Sequence, residues 1–317
     1  MKFKAMGFLA AAALAGCATV NSSTDPVVGN WGLKLSYDSM NAGHLIVERD
    51  ANGQPTALML WRWASPEPCT NVKIEGAKLT FDFPWGFAVE AAVTGDKLTG
   101  LALKQDGKIE STIVGWRNPP IAKASTKDAK FGAPIDLLKD GLDGWQTMDP
   151  KAKFGWSFKD GVLSNKLGLK ADGSWAGGGA NLVSKQADFY DFNLEYDVRV
   201  PAKSNSGVYL RGRYECQVVD SFGLPVNYHN MAAYYGRVTP KVAAEKQPGE
   251  WQHVNVTLYR RHLTVELNGV TIIEDAPVVG ITGGAIDANE FAAGPIYLQG
   301  DHSDADFKNM ILRPAVN

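Results

Sequence analysis

One stretch near the middle of the chain carries the residue types that could do chemistry: Asn205-Ser206-Gly207-Val208-Tyr209-Leu210-Arg211-Gly212-Arg213-Tyr214-Glu215-Cys216-Gln217-Val218-Val219-Asp220-Ser221. With period 2, Val208, Leu210, Tyr214, Cys216 and Val218 share one parity. Tyr209, Arg211, Arg213, Glu215 and Gln217 share the other. Such alternation sets an apolar face on a core and a polar face outward, in one strand or a tight hairpin that bends at Gly212. An ordinary solvated face uses Lys, Glu and Thr. Two guanidiniums, a carboxylate, an amide and a phenol instead suit a hydroxyl-rich ligand, through planar, multidentate hydrogen bonding.

The elements that must position these groups are strands. From Ile135 to Pro314 the chain alternates repeatedly, as in Phe192 to Val200, Val254 to Tyr259 and Leu263 to Leu267. Asn268-Gly269 is a strong hairpin turn. Many alternating strands with long decorated loops fit a two-sheet jelly roll. Two loops, Ala171 to Gly179 and Phe222 to Pro240, are too elaborate to be mere connectors. Ahead of this domain, eight short strands are predicted: Trp31–Ser36, His44–Arg49, Thr56–Trp63, Val72–Glu75, Lys78–Phe83, Phe87–Val93, Lys97–Leu103 and Ile109–Trp116. Tight turns such as Ala51-Asn52-Gly53 and Thr94-Gly95-Asp96 join them, which suggests a small β-meander barrel or sandwich. Trp61, Trp63 and Trp85 fit either a sugar platform or a plug for that barrel, and the frequency of core aromatics favours the plug. Residues 119–134, with Pro119-Pro120, read as a linker. The expected division is therefore 27–118 and 135–317, the second folding as its own unit.

The whole chain of 317 residues is long enough for two such domains. A formal charge of −2 offers no basic surface for nucleic acid. The first residues have the form of an export signal: Lys2 and Lys4, an apolar run from Phe8 to Leu14, then Leu14-Ala15-Gly16-Cys17. That ending resembles a bacterial lipobox. It implies a signal peptide over 1–16, lipidation of Cys17, a tether over 17–26, and membrane anchoring at the outer membrane or periplasmic face of a bacterial envelope. Cys69 and Cys216 could pair in such a compartment, but Cys216 lies on the apolar parity, which favours a buried free thiol.

An ordered series of segments carries a family resemblance. It runs Leu142-Asp143-Gly144-Trp145, Phe192 to Arg199, Asn205 to Gly212, Tyr214 to Ser221, Ala233-Tyr234-Tyr235-Gly236, Pro248-Gly249-Glu250-Trp251, Leu267-Asn268-Gly269, and Gly294-Pro295-Ile296-Tyr297-Leu298-Gln299-Gly300-Asp301-His302. Together they resemble the 3-keto-disaccharide hydrolase domain family over 135–314. Cys216 departs from the aliphatic residue usual there. The resemblance implies an all-β, concanavalin A-like two-sheet jelly roll and cleavage of glycosides already oxidised at C3. A ketone at C3 acidifies the hydrogen on C2; a base removes it, the C1 substituent leaves, and water adds. Such chemistry needs a base, a group to hold the enediolate and an acid at the leaving oxygen.

On that reading Glu215 is the base or a metal ligand, Arg211 holds the oxyanion, and His302 shuttles a proton. Asn205, Gln217, Asp220, Tyr235 and Gln299 bind sugar hydroxyls, and His253 is a reserve candidate. A divalent metal cation of unspecified identity is a further expectation, with Glu215, Asp220 and His302 as candidate ligands. A separate sugar 3-oxidoreductase would supply the keto sugar. Each assignment competes with a plainer one: an Arg–Glu ion pair, a loop His, a turn Asp. Jelly rolls of this kind also serve as non-catalytic carbohydrate-binding modules, so a binding surface lipoprotein is the alternative function.

Overall fold

The computed structural model describes residues 25–118 and 120–316. The expected signal, lipidation site Cys17 and most of the tether lie outside them. Among the described residues, nine strands from Gly29–Leu35 to Ile109–Arg117 form one antiparallel sheet. The strand Glu67–Pro68 is one edge of this sheet and Thr70–Glu75 the opposite edge. Only Cys69 separates them in the chain, so the two edges must meet and the sheet closes into a barrel. The Cys69 N–H donates to the Ala57 carbonyl at 2.8 Å, which carries the pairing of Glu67–Pro68 with Pro55–Leu60 on toward Thr70–Glu75. Alternate residues, such as Leu79, Phe81 and Phe83 on one strand and Phe87, Val89, Ala91 and Val93 on the next, fill the interior. The strand expected over Thr56–Trp63 is Pro55–Leu60. Arg62 donates to the carbonyls of Met40 at 2.7 Å and Ser39 at 2.9 Å, which draws the chain out of the ladder after Leu60.

The linker is stapled to the second domain. Lys130–Phe131 pairs with the end of the last strand, Ala305–Val316, and the Thr126 and Thr264 hydroxyls meet at 2.6 Å. From Ile135 onward two antiparallel sheets pack face to face as a jelly roll. The larger one is built around Phe192–Arg199, Gln252–Tyr259, His262–Leu267 and Ala305–Val316. The other runs, in spatial order, Trp145–Thr147, Leu182–Ser184, Tyr297–Leu298, Asn205–Leu210, Tyr214–Val219. Val208, Leu210, Tyr214, Cys216 and Val218 face Leu194, Tyr196, Val198, Val254 and Val256 in one core. Cys216 is a buried free thiol that accepts from the Tyr196 hydroxyl at 3.3 Å, and Cys69 is also free.

The barrel docks on this core. Ala42 and Leu60 belong to the jelly roll's apolar cluster, and Asn118 donates to the buried Glu290 carboxylate at 2.6 Å.

Candidate active site

The central stretch is a hairpin. Leu210 pairs with Tyr214, Tyr209 with Glu215, Val208 with Cys216, and Gly207 with Gln217. Arg211 and Gly212, with φ of 56° and 65°, turn the chain. The parity read through Gly212 therefore holds for Tyr209, Glu215 and Gln217 and fails for the two arginines. Arg211 is fully buried away from the polar face. Its guanidinium donates to the carbonyls of Glu290 at 2.5 Å and Ala292 at 2.6 Å and lies 4.3 Å from the Tyr190 ring centroid. Arg213 forms a two-pronged pair with Asp287, at 3.0 and 2.7 Å. The expected oxyanion role of Arg211 is corrected accordingly: its charge is spent on holding the segment 287–293 to the hairpin turn.

The hairpin's polar face forms the floor of a cleft of about 480 Å³. Tyr297, Tyr209 and Glu215 stand in one row across three adjacent strands, and the two phenol rings stack at 4.1 Å. Gln299, Gly207 and Gln217 form the next row, with the Gln299 N–H donating to the Gly207 carbonyl at 2.9 Å. Asn205, Asp301 and His302 line the same cleft. The loop Phe222 to Pro240 returns along the outer strand, through Ala232 N–H to Gln217 O at 2.8 Å and Tyr235 N–H to Glu215 O at 3.1 Å, and sets Tyr235 at the rim. Met40, Trp63 and Ala64 of the barrel supply another wall, tied down by Gly284 N–H to Arg62 O at 2.9 Å.

These covers bury the polar face. Glu215 is 3% exposed. Loss of water pushes its carboxyl up to about 8, with the negative charge of Asp301 adding to the rise and a hydrogen bond from Tyr209 opposing it. The Tyr209 hydroxyl lies 2.9 Å from Glu215 Oε2 and 2.8 Å from the Gly283 carbonyl. A phenol has one hydrogen for these two acceptors; with Glu215 protonated, the carboxyl can donate to the phenol oxygen while the phenol donates to Gly283. Burial holds both the Tyr209 and Tyr297 hydroxyls well above the usual phenol range, so both stay protonated. His302, more exposed, has its Nδ1 2.5 Å from Asp301 Oδ1, and that bond raises its proton affinity. Gln217 Oε1 accepts from the Val218 N–H at 2.9 Å, which fixes the amide, whereas the buried Gln299 Oε1 has no protein partner.

Of the expected site residues, the cleft gathers Glu215, His302, Asn205, Gln217, Tyr235 and Gln299. Asp220 lies outside the cleft lining and accepts from the Lys203 N–H at 2.8 Å, a turn role. His253 faces Asp197 on the other sheet, at 2.8 Å. As a metal set, Glu215, Asp220 and His302 do not fit. Asp220 is elsewhere, and among the described residues no three His, Cys, Asp or Glu side chains are grouped to hold a cation. Sequence reasoning placed Tyr209 on the polar face without giving it a role, and gave none to Tyr297 and Asp301. Tyr209 shares the parity of Glu215, Tyr297 stands two residues before Gln299, and Asp301 precedes His302, so period 2 and adjacency were the available signals.

The chain is similar over 62% of its length to 93% of a provisionally named glycosyl hydrolase from Parabacteroides distasonis ATCC 8503, at 24% identity and TM-score 0.44. It is also similar, over 54% of its length, to 95% of carbohydrate-binding module CBM66 from Bacillus subtilis, at 16% identity and TM-score 0.34. No curated protein matches. Residues 134–313, the jelly roll that carries the cleft, match the model of the 3-keto-alpha-glucoside-1,2-lyase-like domain, and the chain belongs to that family.

Proposed function

We propose that the chain cleaves 3-keto-glycosides by proton abstraction at C2, elimination of the C1 substituent and hydration. Family membership supports a carbohydrate-active enzyme. The observation that carries the finer reading is a buried carboxyl of raised proton affinity on the cleft floor, beside neutral phenols. A carboxylate whose pKa is about 8 is a stronger base than an ordinary one, which narrows the gap to a carbon acid. In the reaction, Glu215 takes the C2 proton and the electron pair moves into the C3 carbonyl. The Tyr297 hydroxyl and the Gln217 amide are the donors available to the enediolate oxygens, in place of Arg211, while the Tyr209 hydrogen stays on the Gly283 carbonyl. The pair then expels the C1 oxygen, to which His302, its proton affinity raised by the hydrogen bond to Asp301, gives a proton. Water adds to the resulting C1–C2 double bond: its hydroxyl goes to C1, its other proton restores His302, and the proton held by Glu215 returns to C2. Asn205, Tyr235 and Gln299 line the same cleft and supply polar groups for sugar hydroxyls.

Glu215→Gln keeps the shape and removes the base. It is expected to lower turnover of a 3-keto-glucoside by roughly a hundred- to ten-thousand-fold. The unoxidised glucoside, whose C2 hydrogen is not acidic, should be inert to both proteins. The decisive measurement is solvent deuterium exchange at C2 of a keto sugar that cannot eliminate. Exchange by wild type and none by Glu215→Gln supports the assignment. Equal exchange moves the base to His302, and a bound ligand that never exchanges favours a binding module. Repeating the assay with a chelator separates any contribution of a divalent cation from that of the protein groups.

A further inference from the structure

We propose that the mouth of the N-terminal barrel is a second sugar subsite, which takes the unit bonded to the keto sugar in the cleft. Trp61 plugs the barrel, 3% exposed and packed on Phe87 at 4.5 Å. Trp63 and Trp85 do not; they are 46% and 39% exposed, with ring centroids 6.3 Å apart and planes 27° from parallel. Two indoles left in water side by side forgo the burial that normally stabilises them, and such an exposed apolar patch marks an interaction site.

The patch is held ready. The Arg62 guanidinium lies 3.6 Å from the Tyr37 ring centroid and 4.3 Å from that of Trp63, while donating to the carbonyls of Ser39 and Met40. Trp63 is thus fixed without being buried, so little order is lost when a ligand arrives. The hollow beside the indoles is about 480 Å³, within the range of small-ligand sites, and Lys104, Gln105, Asp106 and Glu110 border it. A pyranose presents a face of C–H groups and a rim of hydroxyls, and it matches an aromatic floor edged with hydrogen-bonding groups. A flat aromatic aglycone would leave that polar edge unused. Trp63 lines both this hollow and the cleft that holds Glu215, so one indole borders the two. An oligosaccharide can lie across the seam between the domains.

The identity of the unit in the cleft rests on the 3-keto-glycoside reading; the subsite itself is tested without it. Binding of an unoxidised gluco-trisaccharide to the full chain is measured by calorimetry for wild type, Trp85→Ala and Trp85→Phe. Trp85→Ala is expected to weaken binding about tenfold, and Trp85→Phe, which keeps an aromatic face, to restore most of it. In turnover, Trp85→Ala should raise KM for a 3-keto-disaccharide by a similar factor and leave kcat and the KM for methyl 3-ketoglucoside as in wild type. Equal trisaccharide affinity in all three proteins overturns the subsite, as does binding of phenyl glucoside without the trisaccharide. Equal KM losses for both keto substrates also overturn it, since they report a general disturbance. If the trisaccharide effect holds and no keto-glycoside is turned over, the subsite stands and the 3-keto reading falls. Normal turnover that ignores Trp85 leaves the reading and removes the subsite.

Discussion

Glu215 concentrates the chemistry of the cleft because water is kept from it. Its folded-state affinity for a proton is raised from about 4.5 to about 8. The folded chain therefore holds that proton more tightly than the unfolded chain, and the group's contribution to stability is full below about pH 4.5. It falls by about 1.4 kcal/mol per pH unit up to about pH 8, where the folded state also deprotonates. Glu215→Gln does not titrate. Its melting temperature should rise relative to wild type as pH goes from about 5 to about 8, with no further gain above that. A pH-independent difference would mean that the carboxyl is ordinary. The same ionisation predicts a rising limb near pH 8 in kcat/KM, because only the deprotonated carboxyl can act as base.

At the scale of the hairpin, Gly207 is the element's concession to the carboxylate. It pairs with Gln217, one row from Glu215, and a Cβ built on it would stand 2.4 Å from Glu215 Oε1. A glycine is needed here for space, since the cleft floor is already covered on both sides. Gly207→Ala should displace the carboxylate, cutting turnover by at least about tenfold and destabilising the fold by about 1–3 kcal/mol, a typical cost of overpacking. Denaturant melts together with steady-state rates test this. Wild-type activity in the variant would place the working carboxylate elsewhere. The hairpin also explains why Arg211 misled: a two-residue period continues only as far as the ladder does, and the ladder stops at Leu210.

Over the whole molecule, the two domains share one buried polar joint. Glu290 is fully buried and meets Asn118 at 2.6 Å, Arg261 at 3.2 Å and the Tyr214 hydroxyl at 3.2 Å. His44 of the barrel lies 3.8 Å from it, but burial and the neighbouring Arg237 hold His44 well below its usual range, so this contact is between a neutral ring and a carboxyl. A fragment of residues 120–316 would lose Asn118, Ala42 and Leu60 together, and with them Trp63 from the cleft wall. Contrary to the expectation of an autonomous second domain, the fragment should bind an apolar dye and melt below the full chain, because it loses the Ala42 and Leu60 cover of its core and one of the three hydrogen bonds to a buried carboxyl that keeps Arg261 and Tyr214. Equal melting temperatures would show that the barrel merely decorates the jelly roll.

The sequence by itself determined the local structure and the chemistry on offer. Period 2 located Val208, Cys216 and Val218 in the core and Glu215 and Gln217 on the other face, because a strand's side chains alternate whatever it packs against. The ordered segments from Leu142 to His302 carried the family, and turn residues located the barrel's strands to within a few positions. Tertiary structure alone decided which polar groups share one cleft. Asp220 and His253 are as polar as Asn205 and His302, and only the strand order brings the latter pair beside Glu215. It also decided that Trp61 is a plug while Trp63 and Trp85 face water: Trp61 packs inward just after the strand ends at Leu60, and Trp85 stands in the turn between Lys78–Phe83 and Phe87–Thr94. The raised proton affinity of Glu215 comes from covers supplied by a returning loop and a second domain, and burial is a property of what surrounds a side chain, which no spacing within its own strand encodes.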